Sequence, residues 1–326
     1  MSSPPNVSSG QGQDGSLLRS SDAPDPTQSR LPVTTDDTST GGDRQASLWS
    51  DAWRQLRRNP IFIVASMLLL VLAVMAAFPQ LFTNTDPRSC DLANSRGGPG
   101  TNGAWFGYDL QGCDYYANVI YGARVSMTIG VFVVGSSLFI GVVLGALAGF
   151  YGGWFDSLMS RITDIFFGLP LILGAILLLN AFTGERGTFQ VGLALIAFGW
   201  MTILRLLRSS VISVKAADYV QAARALGAND WRIITTHILP NAIAPVLVYA
   251  TILIGGVIAA EATLSFLGIG LQLPAISWGL QINGARNFVR TSPYLLLIPS
   301  AFLSATVLCF IMLGDALRDA LDPKLR

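Results

Sequence analysis

The chain has 326 residues, of which 51% are hydrophobic and 13% are charged, and its formal net charge is +1. Soluble domains carry about 25% charged residues, so this composition indicates an integral membrane protein rather than a soluble one. The near-neutral charge gives no field that would favour nucleic acid as a partner.

Side chains suited to catalysis or metal binding are scarce. The chain has one histidine (His237), two lysines (Lys215 and Lys324) and two glutamates (Glu185 and Glu261). Neither lysine follows a G-x-x-x-x-G pattern, so the sequence has no phosphate-binding P-loop of its own. One histidine and three scattered cysteines do not make a usual zinc site. We therefore predict no catalytic residue, no metal site and no cofactor bound by this chain.

The N-terminal stretch 1–46 is rich in Ser, Pro, Gly, Asp, Thr and Gln. Such a composition cannot bury enough apolar surface to offset the entropy of ordering, so it predicts a disordered tail. The first apolar run comes too late in the chain for a signal peptide.

Residues 47–60 predict a short helix before the first apolar run. Trp49, Trp53 and Leu56 fall on one helical face, with three arginines beside them and Pro60 at the end. Aromatic residues beside arginines suit an interfacial helix that lies on the cytoplasmic leaflet and contacts lipid. The alternative is that this stretch is only the flank of the first span.

Six long apolar segments follow, each with enough residues to cross about 30 Å of hydrocarbon. They predict an all-α membrane protein with six transmembrane helices, at 61–82, 126–150, 162–182, 189–207, 243–264 and 294–313. We divide the chain into this first helix, an extracytoplasmic loop at 83–124, a five-helix core at 125–315 and a cytoplasmic C-terminal tail at 316–326.

The distribution of Lys and Arg predicts the orientation. Six crossings place both termini on one side, and that side carries twelve Lys and Arg near the spans against six on the other. The positive-inside rule then places both termini in the cytoplasm and the loop 83–124 outside.

The second apolar segment contains Gly141, Gly145 and Gly149 at intervals of four residues. Small residues at this spacing allow two helix backbones to approach closely in lipid. The pattern fits tight packing within the chain, and it also fits a helix that lines a pathway between subunits.

Two further features lie on the predicted outer side. Cys90 and Cys113 in the loop 83–124 are a disulfide candidate, since thiols outside the cytoplasm are commonly oxidised, and the alternative is two unpaired thiols. Glu261 lies near the outer end of the fifth segment, where a carboxylate is costly unless it is paired or near water. It would shape an outer gate or bond to a neighbouring helix.

The stretch 218–241 is the polar interruption between the fourth and fifth segments. Asp218 and Gln221 have the spacing of a capping box, and Gly227 stands where a helix stop with positive φ is wanted. Asn229 or Asp230 would cap a second helix that ends before Pro240. A helix of small residues with Leu226 beside its stop predicts a docking element for a partner protein.

This stretch resembles the E-A-A loop of bacterial ABC-importer permeases. The family pattern is E-A-A, three residues, Gly, nine residues, I, any residue, L-P. By position, Gln221, Ala222 and Ala223 match E-A-A with Gln in place of Glu, Gly227 matches the glycine, and His237 stands in place of Ile. Leu239 and Pro240 match the final L-P. The resemblance assigns ATPase coupling to these residues together with Arg224 and Leu226.

Other stretches resemble the dipeptide/oligopeptide permeases of the C-subunit class. They are residues 119–130, 149–170, 261–279 and 314–326, and the resemblance runs from about residue 48 to the C-terminus. One departure lies at 104–114, where the family commonly has H-P-x-G-T-D-E-L-G-R-D and this chain has A-W-F-G-Y-D-L-Q-G-C-D. Cys113 replaces the arginine, which favours a disulfide particular to this chain.

The resemblance implies a type I ABC importer permease fold in a bacterial plasma membrane. It implies a homologous permease subunit, two ABC ATPases that hold ATP and Mg, and an extracytoplasmic substrate-binding protein as partners, with di- or oligopeptides as substrate. Glutathione, a nickel complex or haem are alternative substrates. A stand-alone secondary transporter is the rival class, but we see no clear inverted repeat and no series of charges in mid-span.

Overall fold

The computed structural model describes residues 48–182 and 186–321. The predicted tail 1–46, Glu185 and Lys324 lie outside the described residues, as does the side chain of Trp49. Helices make up most of the described chain. In order they are α1 (Leu48–Leu56), α2 (Pro60–Ala77), α3 (Tyr115–Tyr151), α4 (Gly153–Phe167), α5 (Leu171–Ala181), α6 (Thr188–Lys215), α7 (Asp218–Ala225), α8 (Asp230–Arg232), α9 (Leu239–Ala242), α10 (Ala244–Phe266), α11 (Trp278–Ala285) and α12 (Tyr294–Leu321).

Five of the described helices are long and apolar enough to cross a membrane by themselves, namely α2, α3, α6, α10 and α12. The predicted third span at 162–182 is not one straight helix. It is divided between α4 and α5, which meet at an angle of 92° around Gly168–Pro170. Proline has no backbone N–H and clashes with the preceding turn, so a helix is interrupted there. The count of six spans holds when this bent pair is counted as one.

Several boundaries differ from the predicted ones. The loop predicted at 83–124, called the outer loop below after its predicted side, ends at Asp114 rather than at 124, because α3 begins ten residues earlier, at Tyr115. The predicted tail at 316–326 is helical as far as Leu321, where the described residues end, because α12 continues without a break. Pro60 begins α2 rather than ending α1, and the side chain of Asn59 caps α2 by accepting from the N–H of Ile61 at 2.9 Å.

The short helix α1 packs against the end of α12. Ala52 and Leu56 are buried together with Ala316 and Ala320. Trp53 does not share this face as predicted, since it is 50% exposed and the guanidinium of Arg57 lies 4.8 Å from the centre of its ring. The apolar face of α1 is therefore used for packing within the chain, while Trp53 is left available to lipid.

The glycines of α3 allow a close contact with α6. A β-carbon on Gly141 would lie 2.6 Å from the side chain of Ile203 in α6, and one on Gly145 would lie 2.8 Å from the carbonyl oxygen of Leu204. Gly149 meets Val211 and the carbonyl oxygen of Arg208 in the same way. Of the two readings of this pattern, the structure shows packing within the chain, and α3 and α6 form one closely packed pair.

The helix α3 separates two polar regions. It has 37 residues, which corresponds to a length of about 55 Å at 1.5 Å per residue. The loop with the two cysteines leads into its first turn, and the segment 216–238 packs against its last turn through Phe150. The predicted docking element and the predicted disulfide therefore lie at opposite ends of the bundle.

Candidate functional site

The candidate site is the segment 216–242, which follows α6 directly. α7 begins at Asp218, and Ala217 occupies the cap position without a side-chain hydrogen bond. The predicted capping box of Asp218 and Gln221 is therefore wrong. The amide of Gln221 instead donates to the carbonyl oxygen of Lys215 at 3.0 Å, which joins α7 to the end of α6.

Gly227 ends α7 as the sequence predicts. Its φ is +83°, in the left-handed region that glycine adopts without a steric penalty. The N–H of Ala228 donates to the carbonyl of Ala223 at 3.1 Å, and that of Gly227 donates to the carbonyl of Arg224 at 3.0 Å. This pair of bonds is the Schellman arrangement, which satisfies carbonyls at a helix end and turns the chain sharply.

In the second half of the segment, the predicted helix cap is present, but the predicted helix end before Pro240 is not. The side chain of Asn229 accepts from the N–H of Arg232 at 2.9 Å and caps α8. Residues Ile233–Ile238 then form a π-helical turn. Pro240 lies inside α9 rather than after the last helix, because it stands near the start of a new α-helical turn, where a missing N–H costs no hydrogen bond.

The segment presents large apolar side chains to its surroundings. Leu226 is 89% exposed, Trp231 is 72% exposed, and the ring of Tyr219 is also exposed. Ala222 is exposed and Ala223 is half-buried between them, so the surface of α7 has little bulk there. Exposed apolar side chains are what the predicted docking element requires, and we refer to Tyr219, Ala222, Leu226 and Trp231 as the docking surface.

The opposite face of the segment is fixed to the bundle. Val220 is fully buried and packs in one cluster with Phe150 of α3, Val211 of α6 and Ile233. Leu239 packs at the edge of the same cluster. The ammonium group of Lys215 donates to the carbonyl of Phe150, and the guanidinium of Arg224 lies 5.7 Å from the Phe150 ring. The docking surface therefore rests on a buried base shared by α3 and α6.

Two ion pairs join α4 to α6 near this base, and sequence reasoning did not find their partners. Arg208 binds both carboxylate oxygens of Asp156, with the Nη2–Oδ2 distance at 2.6 Å. Arg205 binds Asp164 at 2.5 Å and also donates to the hydroxyl of Thr163. For Asp164 and Arg205 the available signal was a pair of opposite charges in two predicted apolar segments, since such charges in a membrane are commonly paired. Asp156 and Arg208 lie outside the predicted segments, so the sequence held no such signal for them.

The outer loop is closed by a disulfide between Cys90 and Cys113. Next to it, Asp109 accepts from the N–H groups of Gln111 and Cys113, both at 2.8 Å. Burial raises the pKa of the Asp109 carboxyl above its ordinary value, although its backbone hydrogen bonds act in the opposite direction. The loop is thus a compact element with a polar residue at its centre.

Glu261 is fully buried at the centre of a hydroxyl network. Its carboxyl oxygens accept from Ser265 at 2.8 Å, Ser277 at 3.1 Å and Ser126 at 3.4 Å. Each of these hydroxyls accepts in turn from a backbone N–H, those of Leu271, Leu280 and Trp278 respectively. Of the two predicted roles, these contacts are those of a residue that holds neighbouring elements together.

The segment 267–277 between α10 and α11 is bound from two other directions. Arg88 of the outer loop donates to the carbonyl of Pro274 at 3.3 Å, and Arg186 donates to the carbonyl of Ile269 at 3.1 Å. The tip residue Leu273 remains exposed. This segment therefore connects the outer loop, the α5–α6 connection and Glu261.

Two protein-family models match this chain, one over its N-terminal part and one over its C-terminal part. Residues 141–326 match the family described as binding-protein-dependent transport system inner membrane component. Residues 47–99 match the N-terminal transmembrane domain of oligopeptide transport permease C. The first match includes the whole segment 216–242.

Curated relatives match most of the chain. A dipeptide transport system permease protein of Alkalihalophilus pseudofirmus is 40% identical over 86% of this chain and 91% of its own length. A glutathione transport system permease protein of Pectobacterium atrosepticum is 37% identical over 85% of this chain and 92% of its own. An oligopeptide transport system permease protein of Bacillus subtilis is 36% identical over 87% and 92%.

Solved structures with the same fold include the methionine ABC transporter MetNI in inward-facing conformations. One of its chains aligns with a TM-score of 0.52 at 19% identity, over 64% of this chain and 98% of that one. An amino acid ABC transporter crystallised with histidines aligns with a TM-score of 0.50 at 17% identity, over 62% and 92%. At these identities the likeness concerns the fold, which is that of type I ABC importer permeases.

Proposed function

Because the chain belongs to the binding-protein-dependent transport system inner membrane component family, as a permease of the dipeptide/oligopeptide type, we propose that it forms half of a peptide pathway through the membrane. The other half is a homologous permease. Two cytoplasmic ATPases bind ATP and Mg and supply the energy, and an extracytoplasmic binding protein delivers the substrate. This chain carries out no bond chemistry.

The observation that carries the proposal is the docking surface. Leu226 and Trp231 are largely exposed, while Val220 in the same element is fully buried. One face of this segment is packed against the bundle, and the other face exposes apolar side chains. Such a segment can fit into a cleft of an ATPase subunit. Gln221, Ala222, Ala223, Gly227, Leu239 and Pro240 form the frame of this element, with Arg224 fixed over Phe150.

The proposed orientation follows from the charges and from the separation of the two ends. The docking surface faces the cytoplasm together with both termini, and the disulfide loop faces the outside, where thiols are oxidised. These two regions lie at opposite ends of α3, so one orientation accounts for both.

The mechanism is a switch between two states of the whole bundle. ATP binding closes the two ATPases, and the docked segment moves with them. Because α3 and α6 are closely packed over their length, they move as a unit and change access from the cytoplasmic to the outer side. The permease thereby converts closure of the ATPases into opening of the pathway.

Purification of the tagged chain from native membranes in mild detergent tests this function. We expect two P-loop ATPases and a second permease to co-purify. The Gly227→Trp variant should lose the ATPases and keep the permease, because the substitution changes only the docking segment. Recovery of the wild-type chain alone would reject the importer and favour a stand-alone transporter.

Uptake assays distinguish the substrate classes. A glutathione permease is among the relatives, and glutathione is itself a small peptide, so both substrates fall in one chemical class. Cells that carry the complete transporter should take up tritiated trialanine, and unlabelled glutathione should compete if the pathway accepts both. Uptake of glutathione without trialanine would narrow the substrate to glutathione.

A further inference from the structure

We propose that Arg205 and Arg208 of α6 are the positioning residues that make α4 follow the docking segment. The inference rests on the proposed function, since it concerns how movement of the docking segment reaches a part of the bundle that does not touch it. It assigns a role to the two ion pairs. Arg205 is 41 residues from Asp164 in sequence, and Arg208 is 52 residues from Asp156.

The first step is that the docking segment is continuous with α6. Only Ala216 and Ala217 separate α6 from α7, and the Gln221 amide is bonded to the last carbonyl of α6. Val220 is buried against Val211 of α6. A displacement of the docking surface is therefore a displacement of this end of α6.

The second step is that α3 follows α6 through close backbone contact, whereas α4 has no such contact. α4 buries only Met159 and Thr163 among its fifteen residues. Met159 packs with Ala148 and Leu204 in a small cluster. This apolar contact is limited, and it would permit α4 to slide.

The ion pairs supply what this apolar contact lacks. Arg208 binds Asp156 through two parallel bonds, a geometry that fixes orientation as well as distance. Three residues earlier, Arg205 binds Asp164 and Thr163 while its guanidinium lies 4.3 Å from the ring centre of Phe167. Contacts near both ends of α4 hold it to α6 against sliding and against rotation.

The third step concerns α5. Phe167 is the last residue of α4, and α5 begins at Leu171 after the bend of 92°. α5 exposes Leu173 and Leu177 on its outer face, so its position determines which apolar surface the subunit presents to lipid, pathway or partner. α5 also packs directly against α6, where a β-carbon on Gly174 would collide with the ring of Phe198. The arginines are therefore needed for α4 alone, and the route is docking segment, α6, the two arginines and α4.

Spin-label distances in the intact transporter test this route. Labels at Trp154→Cys in α4 and Ile212→Cys in α6 are accessible, and the native cysteines do not interfere, because two form the disulfide and Cys309 is buried. Distances are measured by pulsed electron paramagnetic resonance without nucleotide and with ATP and vanadate. We expect one distance in both states for the wild type.

The Asp156→Asn and Arg208→Gln variants should show a distance shift on addition of ATP and vanadate, because α4 then no longer follows α6. The exchanged variant Asp156→Arg with Arg208→Asp should restore the single distance. If the single substitutions acted only by unfolding part of the chain, exchanging the two charges would not restore the single distance. The matched control is Arg161→Gln, an exposed arginine on α4 without an ion pair among the described residues, which should behave as wild type.

Two outcomes overturn the inference. One is a nucleotide-dependent shift already present in the wild type, and the other is a single unshifted distance in Asp156→Asn and Arg208→Gln. Failure of the proposed function is seen separately, because the ATPases would then not co-purify with the wild-type chain. In the variants, the shift should also disappear when Gly227→Trp is added, since the docking segment no longer moves with the ATPases.

Discussion

The carbonyl oxygen of Leu204 in α6 lies 2.8 Å from the point where a β-carbon on residue 145 of α3 would stand. Backbone therefore faces backbone at this point, and neither partner is a flexible side-chain end that could move away. Only glycine permits this approach, which is how α3 and α6 become one unit.

Gly145→Ala should destabilise the bundle. A methyl group at this position would force the two helices apart, and overpacking of this kind costs about 1–3 kcal/mol. Thermal unfolding of the purified chain in detergent measures the effect. Gly135→Ala is the matched control on the same helix, since a β-carbon there meets nothing within 4 Å. Equal melting temperatures for the two variants would contradict the packing account.

Gly227→Trp should abolish ATP-driven uptake while the chain still inserts into the membrane. A β-carbon at Gly227 would meet open space, so the bulk extends outward into the docking surface. The positive φ adds a cost of about 1–2 kcal/mol for a residue other than glycine. Gly227→Asn separates the two effects, because asparagine tolerates this φ and adds little bulk, and it should retain most uptake.

The disulfide should protect Cys90 and Cys113 from maleimide until a reductant is added. One thiol, that of the exposed Cys90, should then react in the folded chain, since Cys113 and Cys309 are both buried. Replacing both cysteines with serine should lower loop stability by about 3–4 kcal/mol in the chain-entropy model. Labelling of either cysteine before reduction would show that the bridge is absent. Cys309→Ala serves as the control for the loss of a thiol elsewhere.

The stability of the outer loop should depend on the protonation of Asp109. Its pKa is raised in the folded loop by burial, so the folded form binds a proton more readily than the unfolded form. The resulting stabilisation is complete below the unfolded pKa and is lost as the pH rises through the folded pKa. Asp109→Asn keeps an oxygen that accepts from Gln111 and Cys113 but cannot titrate.

The difference in melting temperature between the wild type and Asp109→Asn isolates this effect from other titrating groups. The wild type should lose stability relative to the variant as the pH rises above about 4, which is the usual pKa of an aspartate, because the pKa of Asp109 is raised in the folded loop. A difference that stays constant as the pH rises would mean that Asp109 does not titrate in the folded loop.

Glu261→Gln should destabilise the outer end of the bundle although it preserves volume. Ser265 donates to one carboxyl oxygen and Ser126 to the other. An amide nitrogen in place of Oε2 cannot accept from the Ser126 hydroxyl, so that hydrogen bond is lost, at a cost of about 0.5–1.5 kcal/mol. Proteolysis of the segment 267–277 measures the effect. Thr263→Ala on the same helix is the control, since its hydroxyl bonds only to a backbone carbonyl of α10. Equal cleavage of the two variants would exclude a holding role for Glu261.

The parts of the fold that the sequence predicted depend on local composition. Long apolar runs located the spans, and the spacing from Gln221 to Pro240 located the docking segment. The positive φ of Gly227 followed from its place after a short helix. Each of these features depends on residues that are close together in sequence, so it can be predicted without knowledge of contacts between distant parts of the chain.

The parts that the sequence did not predict depend on direction and on distant partners. The run 162–182 is apolar throughout, and composition does not show that the chain turns by 92° within it. Ala217 rather than Asp218 occupies the cap position of α7, and the Gln221 amide is bonded to Lys215 in the preceding helix. Asp156 and Asp164 face arginines in another helix, which sequence spacing alone does not show.

The exposed side chains of Leu226 and Trp231 have a consequence for how long an unassembled copy of the subunit survives in the cell. A chain made without its ATPases would display an uncovered apolar surface to the cytoplasm in the proposed orientation, and such surfaces attract proteases and other exposed chains. The lifetime of each copy would then be set by how soon it is assembled. The same residues that transmit force in the transporter would thus keep the numbers of permeases and ATPases matched.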